Sequence, residues 1–450
     1  MTTHAPSAIV LAAGMGTRMK SQLPKVMHPL AGRPMVDHVL ASLSECDVET
    51  ATIVVGPELE GAASRFAPHR TAVQRERLGT GHAVRTALEG GASNDGTILI
   101  VYGDVPLLTP ATLSRLLDRC GQGAALALLV FRPETPGAYG RVIVNGDQVE
   151  RIVEALDATP EELEVDLCNS GVMAVSGPHL KKWVNALKND NAKGEYYLTD
   201  IVAMARADSE TCAVVEGGGD ELVGINNRAD LAEAERIIQD RYRAAAMAAG
   251  VTLQDPSSVF LSYDTAFGTD VNVAPFTVFG PGVAVGSNVT IKGFCHFEQA
   301  TIRDGVTIGP YARLRPGAEL AQDSHVGNFV EIKNATVEQG AKVNHLSYIG
   351  DARVGKGSNV GAGTITANYD GYNKSHTDIG ENVSIGSNTV LVAPVKVGDG
   401  AVTGAGAVVR KDVPSDAIAL TDAPQKNREG MASKYRAQRK AIKDSKAKGK

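Results

Sequence analysis

The sequence predicts two architectures in one chain: an α/β half built from βαβ units on a mainly parallel sheet, then a connecting helix, then a parallel β-helix. Three observations carry this. Up to about Arg228, short apolar runs at 8–11, 52–55, 98–101 and 125–130 alternate with amphipathic segments, the rhythm of strands that each feed a covering helix. From 229 to 249 the chain is glycine-free and alanine-rich, with Leu231, Ala234, Ile238 and Tyr242 spaced by three or four residues before Gly250. That spacing gives a helix one apolar face, so 229–250 reads as a linker helix.

The third observation is a period of six. Stepping by six from Phe267, with three resets of five and a loop at 367–378 left out, the chain passes through 24 positions to Val409. Of these, 22 are apolar, only Thr366 and Thr403 break the series, and twelve are followed directly by glycine. A hydrophobic content of 43% would give about ten by chance. An α-helix repeats at 3.6 and an ordinary strand at 2. A β-helix repeats at six, because each short strand points one apolar residue inward and two residues turn the corner. With three faces per rung, the series makes about eight rungs. The side faces of such a prism lie open, so self-association is expected.

Composition narrows the function. The chain has 450 residues, room for two or three domains at roughly 150 residues each. There are 48 glycines and one tryptophan, with aromatics at 5%, as tight turns and narrow rungs require. A formal charge of -6 from 45 basic and 51 acidic residues excludes bulk capture of nucleic acid, so any phosphate is bound locally. Cys46, Cys120, Cys168, Cys212 and Cys295 are scattered without C-x-x-C spacing and read as reduced thiols of a cytoplasmic protein. The apolar run at 8–13 is about a third of the ~20 residues a membrane span needs, so neither a signal peptide nor stable membrane insertion is expected. The last twenty residues, 431–450, carry eight Lys or Arg against Asp444 alone and read as a solvated, disordered basic tail.

The first strand runs into Leu11-Ala12-Ala13-Gly14-Met15-Gly16-Thr17-Arg18-Met19, with Pro24-Lys25 beyond. This is neither a Walker A loop nor a G-x-G-x-x-G fingerprint, which argues against an ATPase or a dehydrogenase. Gly14 and Gly16 let backbone N–H groups approach phosphate, and Arg18 and Lys25 can neutralise its charge; a plain tight turn is the competing reading. Asp104 closes an apolar strand at 98–102, where a carboxylate can hold a cation or simply cap a turn.

These residues resemble the signature of sugar-1-phosphate nucleotidyltransferases, which have a Rossmann-like α/β domain. Gln74, Leu78-Gly79-Thr80-Gly81-His82-Ala83, Tyr102-Gly103-Asp104-Val105-Pro106, Tyr139-Gly140-Arg141, Glu154, Asn169-Ser170-Gly171 and Gly224-Ile225-Asn226-Asn227-Arg228 continue the match in order. Together they resemble the uridylyltransferase half of the bacterial bifunctional N-acetylglucosamine-1-phosphate uridyltransferase / glucosamine-1-phosphate acetyltransferase family. The resemblance implies that Leu11, Ala12, Ala13, Gly14, Lys25, Gln74, Gly79, Thr80, Tyr102, Gly103, Asp104, Gly140, Glu154, Asn169 and Asn226 hold UTP and N-acetylglucosamine-1-phosphate. Among them Gln74, Gly79 and Thr80 take the uracil side, and Gly140, Glu154 and Asn169 the sugar. It further implies Arg18 and Lys25 as catalytic cations and Asp104 with Asn226 as ligands of Mg²⁺. A sugar phosphate attacking the α-phosphorus of a nucleotide needs positioning and charge neutralisation, not a covalent nucleophile.

In the β-helix, the polar interruptions at 312–320, 325–333, 344–352 and 360–371 extend the resemblance over nearly the whole chain to about residue 430. It implies a left-handed parallel β-helix, acetyl-CoA as co-substrate, and a homotrimer. Acetyl transfer to an amine needs a base, and histidine titrates in the useful range. His345 is the matching position, with His296 and His325 as competitors. The resemblance assigns Arg315 and Lys333 to the sugar phosphate, Tyr348, Asn359 and Lys374 to the amino-sugar pocket, and Ala362, Asn368, Tyr369, Ser387 and Ala405 to acetyl-CoA. Asp422 stands where the family usually has a basic residue, so that CoA contact is not carried over.

The resulting reading is a bifunctional enzyme that acetylates glucosamine-1-phosphate and then uridylylates the product. Its parts are a uridylyltransferase domain at 1–228, the linker at 229–250, and the acetyltransferase β-helix with its tail at 251–450. The rivals are a single-activity sugar-1-phosphate nucleotidyltransferase with a structural or regulatory β-helix, and a non-catalytic trimerisation scaffold. Clustered polar interruptions argue against the scaffold.

Overall fold

A computed structural model describes residues 5–191, 193–421 and 427–448; Asp422 lies outside the described residues. The chain divides into two compact units, one comprising Met1–Ala249, Phe260–Thr265 and Phe279–Pro281, the other Gly250–Val259, Ala266–Val278 and Gly282–Lys450.

The first unit is built on a nine-stranded sheet in the order Arg70–Val73, Thr50–Val55, Ser7–Ala12, Thr97–Tyr102, Cys168–Ser176, Leu126–Phe131, Cys212–Glu216, Gln148–Val153, Arg141–Asn145. The first four run parallel. Cys168–Ser176 then runs against both of its neighbours, and a hairpin closes the far edge, so the sheet is mixed, not mainly parallel. The reason is local: what precedes Cys168 is that hairpin and one helical turn, Pro160–Leu163. Without a crossover helix to carry the chain back, the strand enters from the opposite end. Every residue of Ser7–Ala12 and Leu126–Phe131 is buried, because helices cover both faces; Ala8, Val10 and Ile53 feed one core layer and Ile9, Leu11 and Val54 the other.

The expected linker helix runs Arg228–Ala248, capped by Asn227 in a capping box with Asp230. It belongs to the first unit: Ala234, Ile237 and Ile238 pack with Leu30, Met35, Leu107 and Ile225. The spaced apolar face does form a helix, but that face is a packing surface, not a spacer's.

The second unit is a left-handed parallel β-helix. One face stacks ten strands, from Thr252–Leu253 to Ile418–Ala419, two more than the hexad count suggested, because the first and last lie outside the hexad series. Of the 24 hexad positions, 23 are buried and Phe267 is half-buried. The two threonines obey the same rule by satisfying the backbone: buried Thr366 Oγ1 accepts from Gly350 N at 2.8 Å, and Thr403 Oγ1 from Gly386 N at 3.0 Å.

One corner of the prism is a continuous backbone ladder. Phe294 N donates to Pro275 O, Tyr311 N to Gly293 O, Phe329 N to Tyr311 O, Leu346 N to Asn328 O, Gly363 N to His345 O, Asn388 N to Ala362 O and Gly406 N to Ser387 O. Along it Phe276, Phe294, Tyr311 and Phe329 stand exposed and stack at 4.9 Å between ring centroids, each in the left-handed backbone region the corner demands. The tail differs from its reading: Met431–Lys448 forms a helix, which its run of Ala, Lys, Arg and Gln without an interior glycine or proline favours.

Candidate functional site

In the first unit, the loops that leave the parallel strands surround a cavity of about 300 Å³ lined by Leu11, Ala12, Ala13, Gly14, Lys25, Val26, Gln74, Arg77, Gly79, Thr80, Ala83, Tyr102, Asp104 and Glu195. The turn Thr17–Met19 brings Lys25 back over the strand end; Gly16 stands at φ 61°, and a Cβ there would lie 2.6 Å from Lys25 Cβ. The Lys25 ammonium bonds the Asp104 carboxylate and lies 3.3 Å from Asn226 Oδ1. Asp104 is fixed from behind by Ile225 N, which donates to its carbonyl at 2.9 Å, and Asn226 by its own N–H to Asp230 Oδ2 at 2.8 Å. Three residues far apart in sequence thus make one charged centre.

Gln74 is buried. Its amide nitrogen donates to Gly79 O at 3.2 Å and lies 3.0 Å from His82 Nδ1, so the carbonyl oxygen is what it can offer a base edge. Burial raises the pKa of Tyr102, helped by the nearby charges of Asp104 and Glu154, and the phenol stays neutral. Its ring lies against Gly171, where a Cβ would sit 2.7 Å away. Asn169 joins the same wall: its N–H donates to Gly140 O, and its side-chain oxygen accepts from Gly171 N, both at 2.9 Å. A second cavity, about 390 Å³, is lined by Gly137, Ala138, Glu154, Ala155, Leu156, Asp157, Lys193 and Tyr197. Burial pushes the Glu154 carboxyl up from its usual range, with Lys193 and the Thr199 hydroxyl opposing.

In the second unit, His345 ends the strand Lys342–His345 on the laddered corner, exposed, with Nδ1 2.6 Å from Asn328 Oδ1. Ala362 and Ser387 follow on higher rungs of that corner, and Ala405 precedes Gly406 there. Cations gather elsewhere on the prism. Arg315 donates to Glu331 Oε1 at 2.8 Å. Lys374 sits on a loop pinned by the bridge Tyr369–Lys374, and the adjoining Lys333 ammonium holds it below the ordinary lysine range. Asp351 faces both: burial pushes its carboxyl up, but hydrogen bonds from Asn334 and Asn368 and the charges of Lys333 and Lys374 bring it down overall. Tyr348 lies over Gly350, where a Cβ would meet its hydroxyl at 2.3 Å, and Asn368 Nδ2 approaches that hydroxyl at 3.5 Å.

The comparisons agree with this division. The MobA-like NTP transferase domain family matches residues 8–166, and the bacterial transferase hexapeptide family matches 376–411. The bifunctional protein GlmU of Paramagnetospirillum magneticum is 56% identical over 99% of this chain and 100% of its own. That of Rhodospirillum rubrum is 56% identical over 96% and 97%, and that of Xanthobacter autotrophicus 50% over 98% and 99%. The chain belongs to the GlmU family of bifunctional proteins. It is a UDP-N-acetylglucosamine pyrophosphorylase and a glucosamine-1-phosphate acetyltransferase, not the single-activity rival.

Set against the residues picked out by the GlmU resemblance, the first cavity gathers Leu11, Ala12, Ala13, Gly14, Lys25, Gln74, Gly79, Thr80, Tyr102 and Asp104. Gly103 supports it from behind, its N–H donating to Leu11 O at 3.0 Å. Arg18 stands apart, exposed on its turn and outside the cavity lining. Gly140, Glu154 and Asn169 gather around Tyr102 and the second cavity. Asn359 begins a strand paired with Lys342 and Ser384, away from the His345 end of that face. The sequence missed Arg77, whose Nε donates to Ala13 O at 2.6 Å, and Glu195; neither sits in a motif. Asn328, Glu331 and Asp351 were also missed, although the period of six places Asn328 one rung from His345.

Proposed function

We propose that uridylyl transfer takes place in the cavity around Lys25 and Asp104, and acetyl transfer along the corner that carries His345. The convergence of residues 11–14 with Lys25, Gln74, Gly79, Thr80, Tyr102 and Asp104 on one cavity carries the first assignment. The main-chain turn at Gly14 to Gly16 and the Lys25 ammonium take the phosphates; Gln74 and Gly79 take the base; Gly140, Glu154 and Asn169 take the sugar. Two neutral or anionic oxygens already grip a cation there, the Lys25 ammonium, so Asp104 and Asn226 suit Mg²⁺ as well. Among the described residues no three His, Cys, Asp or Glu side chains form a metal cage, which fits a shell completed by substrate phosphates and water. Bound there, Mg²⁺ would neutralise charge on the phosphates.

In the β-helix, His345 takes the proton from the amino group of glucosamine-1-phosphate as that nitrogen attacks the acetyl-CoA thioester; the C–S bond breaks and CoA leaves as its protonated thiol. Arg315 and Lys333 hold the sugar phosphate, two cations around a dianion. Tyr348, Asn359 and Lys374 complete the amino-sugar pocket. Ala362, Ser387 and Ala405 leave the corner open for the pantetheine arm, with Asn368 and Tyr369 beside it. The exposed aromatic ladder and the hexapeptide repeats support a homotrimer, and five free cysteines support a cytoplasmic setting. No helix among the described residues is long and apolar enough to cross a membrane. Uridylyl transfer thus falls to 1–228 and acetyl transfer to 251–450, with the helix of the 229–250 segment packed on the first unit. One assay tests the assignments: with glucosamine-1-phosphate, acetyl-CoA, UTP and Mg²⁺, pyrophosphate and CoA thiol are followed separately in variants of each cluster. A variant in one cluster that lowers the other activity alone would sink them.

A further inference from the structure

We propose that Asn328 is the positioning residue of acetyl transfer: it holds the proton of neutral His345 on Nδ1, so that Nε2 presents its lone pair to the amine. This rests on His345 as the base. His345 Nδ1 lies 2.6 Å from Asn328 Oδ1, and a side-chain carbonyl only accepts, so the proton of that bond belongs to Nδ1. Without an acceptor at Nδ1 the two tautomers exchange freely, and only one of them can remove a proton at Nε2.

The fold imposes the contact. Asn328 and His345 stand opposite each other in parallel strands, one strand spacing of about 4.8 Å apart. Leu346 N donates to Asn328 O at 3.0 Å and Gly363 N to His345 O at 3.1 Å. The residues that follow them, Phe329 and Leu346, take nearly the same left-handed backbone, φ 55° and 51°. The two side chains thus leave adjacent rungs at matching positions of the same corner. The ring itself is exposed, so this hydrogen bond, not packing, decides its tautomer.

The test uses the full-length protein. Asn328→Ala is expected to lower kcat for CoA release about 10- to 100-fold, the scale that losing the orienting partner of a metal-bound histidine costs, with KM changed by less than about twofold. Asn328→Asp, whose carboxylate accepts the same bond, should return kcat to within about fivefold of wild type. In a His345→Ala background Asn328→Ala should cost nothing more, because Asn328 acts through the ring. Pyrophosphate release in the same preparations should stay at wild type, showing that the protein is folded. An Asn328→Ala enzyme with wild-type kcat beside an inactive His345→Ala enzyme overturns the inference and leaves His345 the base. An Asp variant as slow as Ala also overturns it, since the amide N–H₂ would then be what faces the ring. Full CoA release in His345→Ala overturns the base assignment and this inference with it.

Discussion

Asp104→Asn separates the two activities. The change keeps the side chain's shape and removes one negative charge from the centre where the Lys25 ammonium, Asn226 and Asp104 meet. The Lys25 and Asp104 side chains are 12% and 18% exposed, between a surface pair and a buried one, so losing the ion pair should cost about 1–2 kcal/mol of stability. Losing the only carboxylate of a proposed Mg²⁺ site should cost far more in the reaction, about 10³-fold or roughly 4 kcal/mol of transition-state stabilisation. Stability alone cannot account for that, because a domain that loses ~1–2 kcal/mol of the usual 5–15 stays folded. The assay is pyrophosphate release and CoA-thiol release from the same preparation across a Mg²⁺ titration. Uridylyl transfer should fall by three decades at every Mg²⁺ concentration while acetyl transfer holds. If both fall together in protein that is still folded, or if uridylyl transfer survives, the charged centre has been misread.

Three further outcomes follow from particular contacts. His345→Ala should lower acetyl transfer by about 10² to 10⁴-fold and leave pyrophosphate release alone; wild-type CoA release from pH 6 to 9 would send the base assignment back to His325. Gly16→Ala forces a side chain into a left-handed turn at roughly 1–2 kcal/mol and against Lys25 Cβ, 2.6 Å away, so uridylyl transfer should fall about tenfold; an unchanged rate would show that the Lys25 backbone position is not critical. Burial lowers the His38 pKa to about 4, with a backbone bond to Leu30 opposing and Arg33 assisting. The unfolded chain then binds a proton that the folded one refuses, so stability should fall as pH drops from about 6.5 to about 4, by up to ~1.4 kcal/mol per pH unit. Urea unfolding followed by the fluorescence of Trp183, the single tryptophan, should show that slope, and His38→Gln should flatten it; an equal slope in the variant would place the acid sensitivity elsewhere.

By itself the sequence determined whatever a local period encodes. Hexads at 267–409 specify the β-helix because each inward position must be apolar or, like Thr366 and Thr403, bonded to the backbone, and only a six-residue rung repeats that demand. The strands at 8–11, 52–55, 98–101 and 125–130 were legible for the same reason: buried on both faces, they can hold little but aliphatic side chains. The motif residues lining the first cavity were legible because they sit in short, unusual strings after those strands. What only the tertiary structure decided depends on which distant residues meet. The direction of Cys168–Ser176 followed from the absence of a crossover helix before it, and the linker helix joined the first unit because Leu30, Met35 and Leu107 offered it an apolar surface. Arg77 and Glu195 reached the cavity through loop paths that no spacing records. The Lys25–Asp104–Asn226 centre joins residues up to 201 positions apart, and the Asn328–His345 bond depends on one rung of the prism lying directly over the next. A hydrogen bond or an ion pair is set by ångström distances between side chains, and distances across the chain exist only once it has folded.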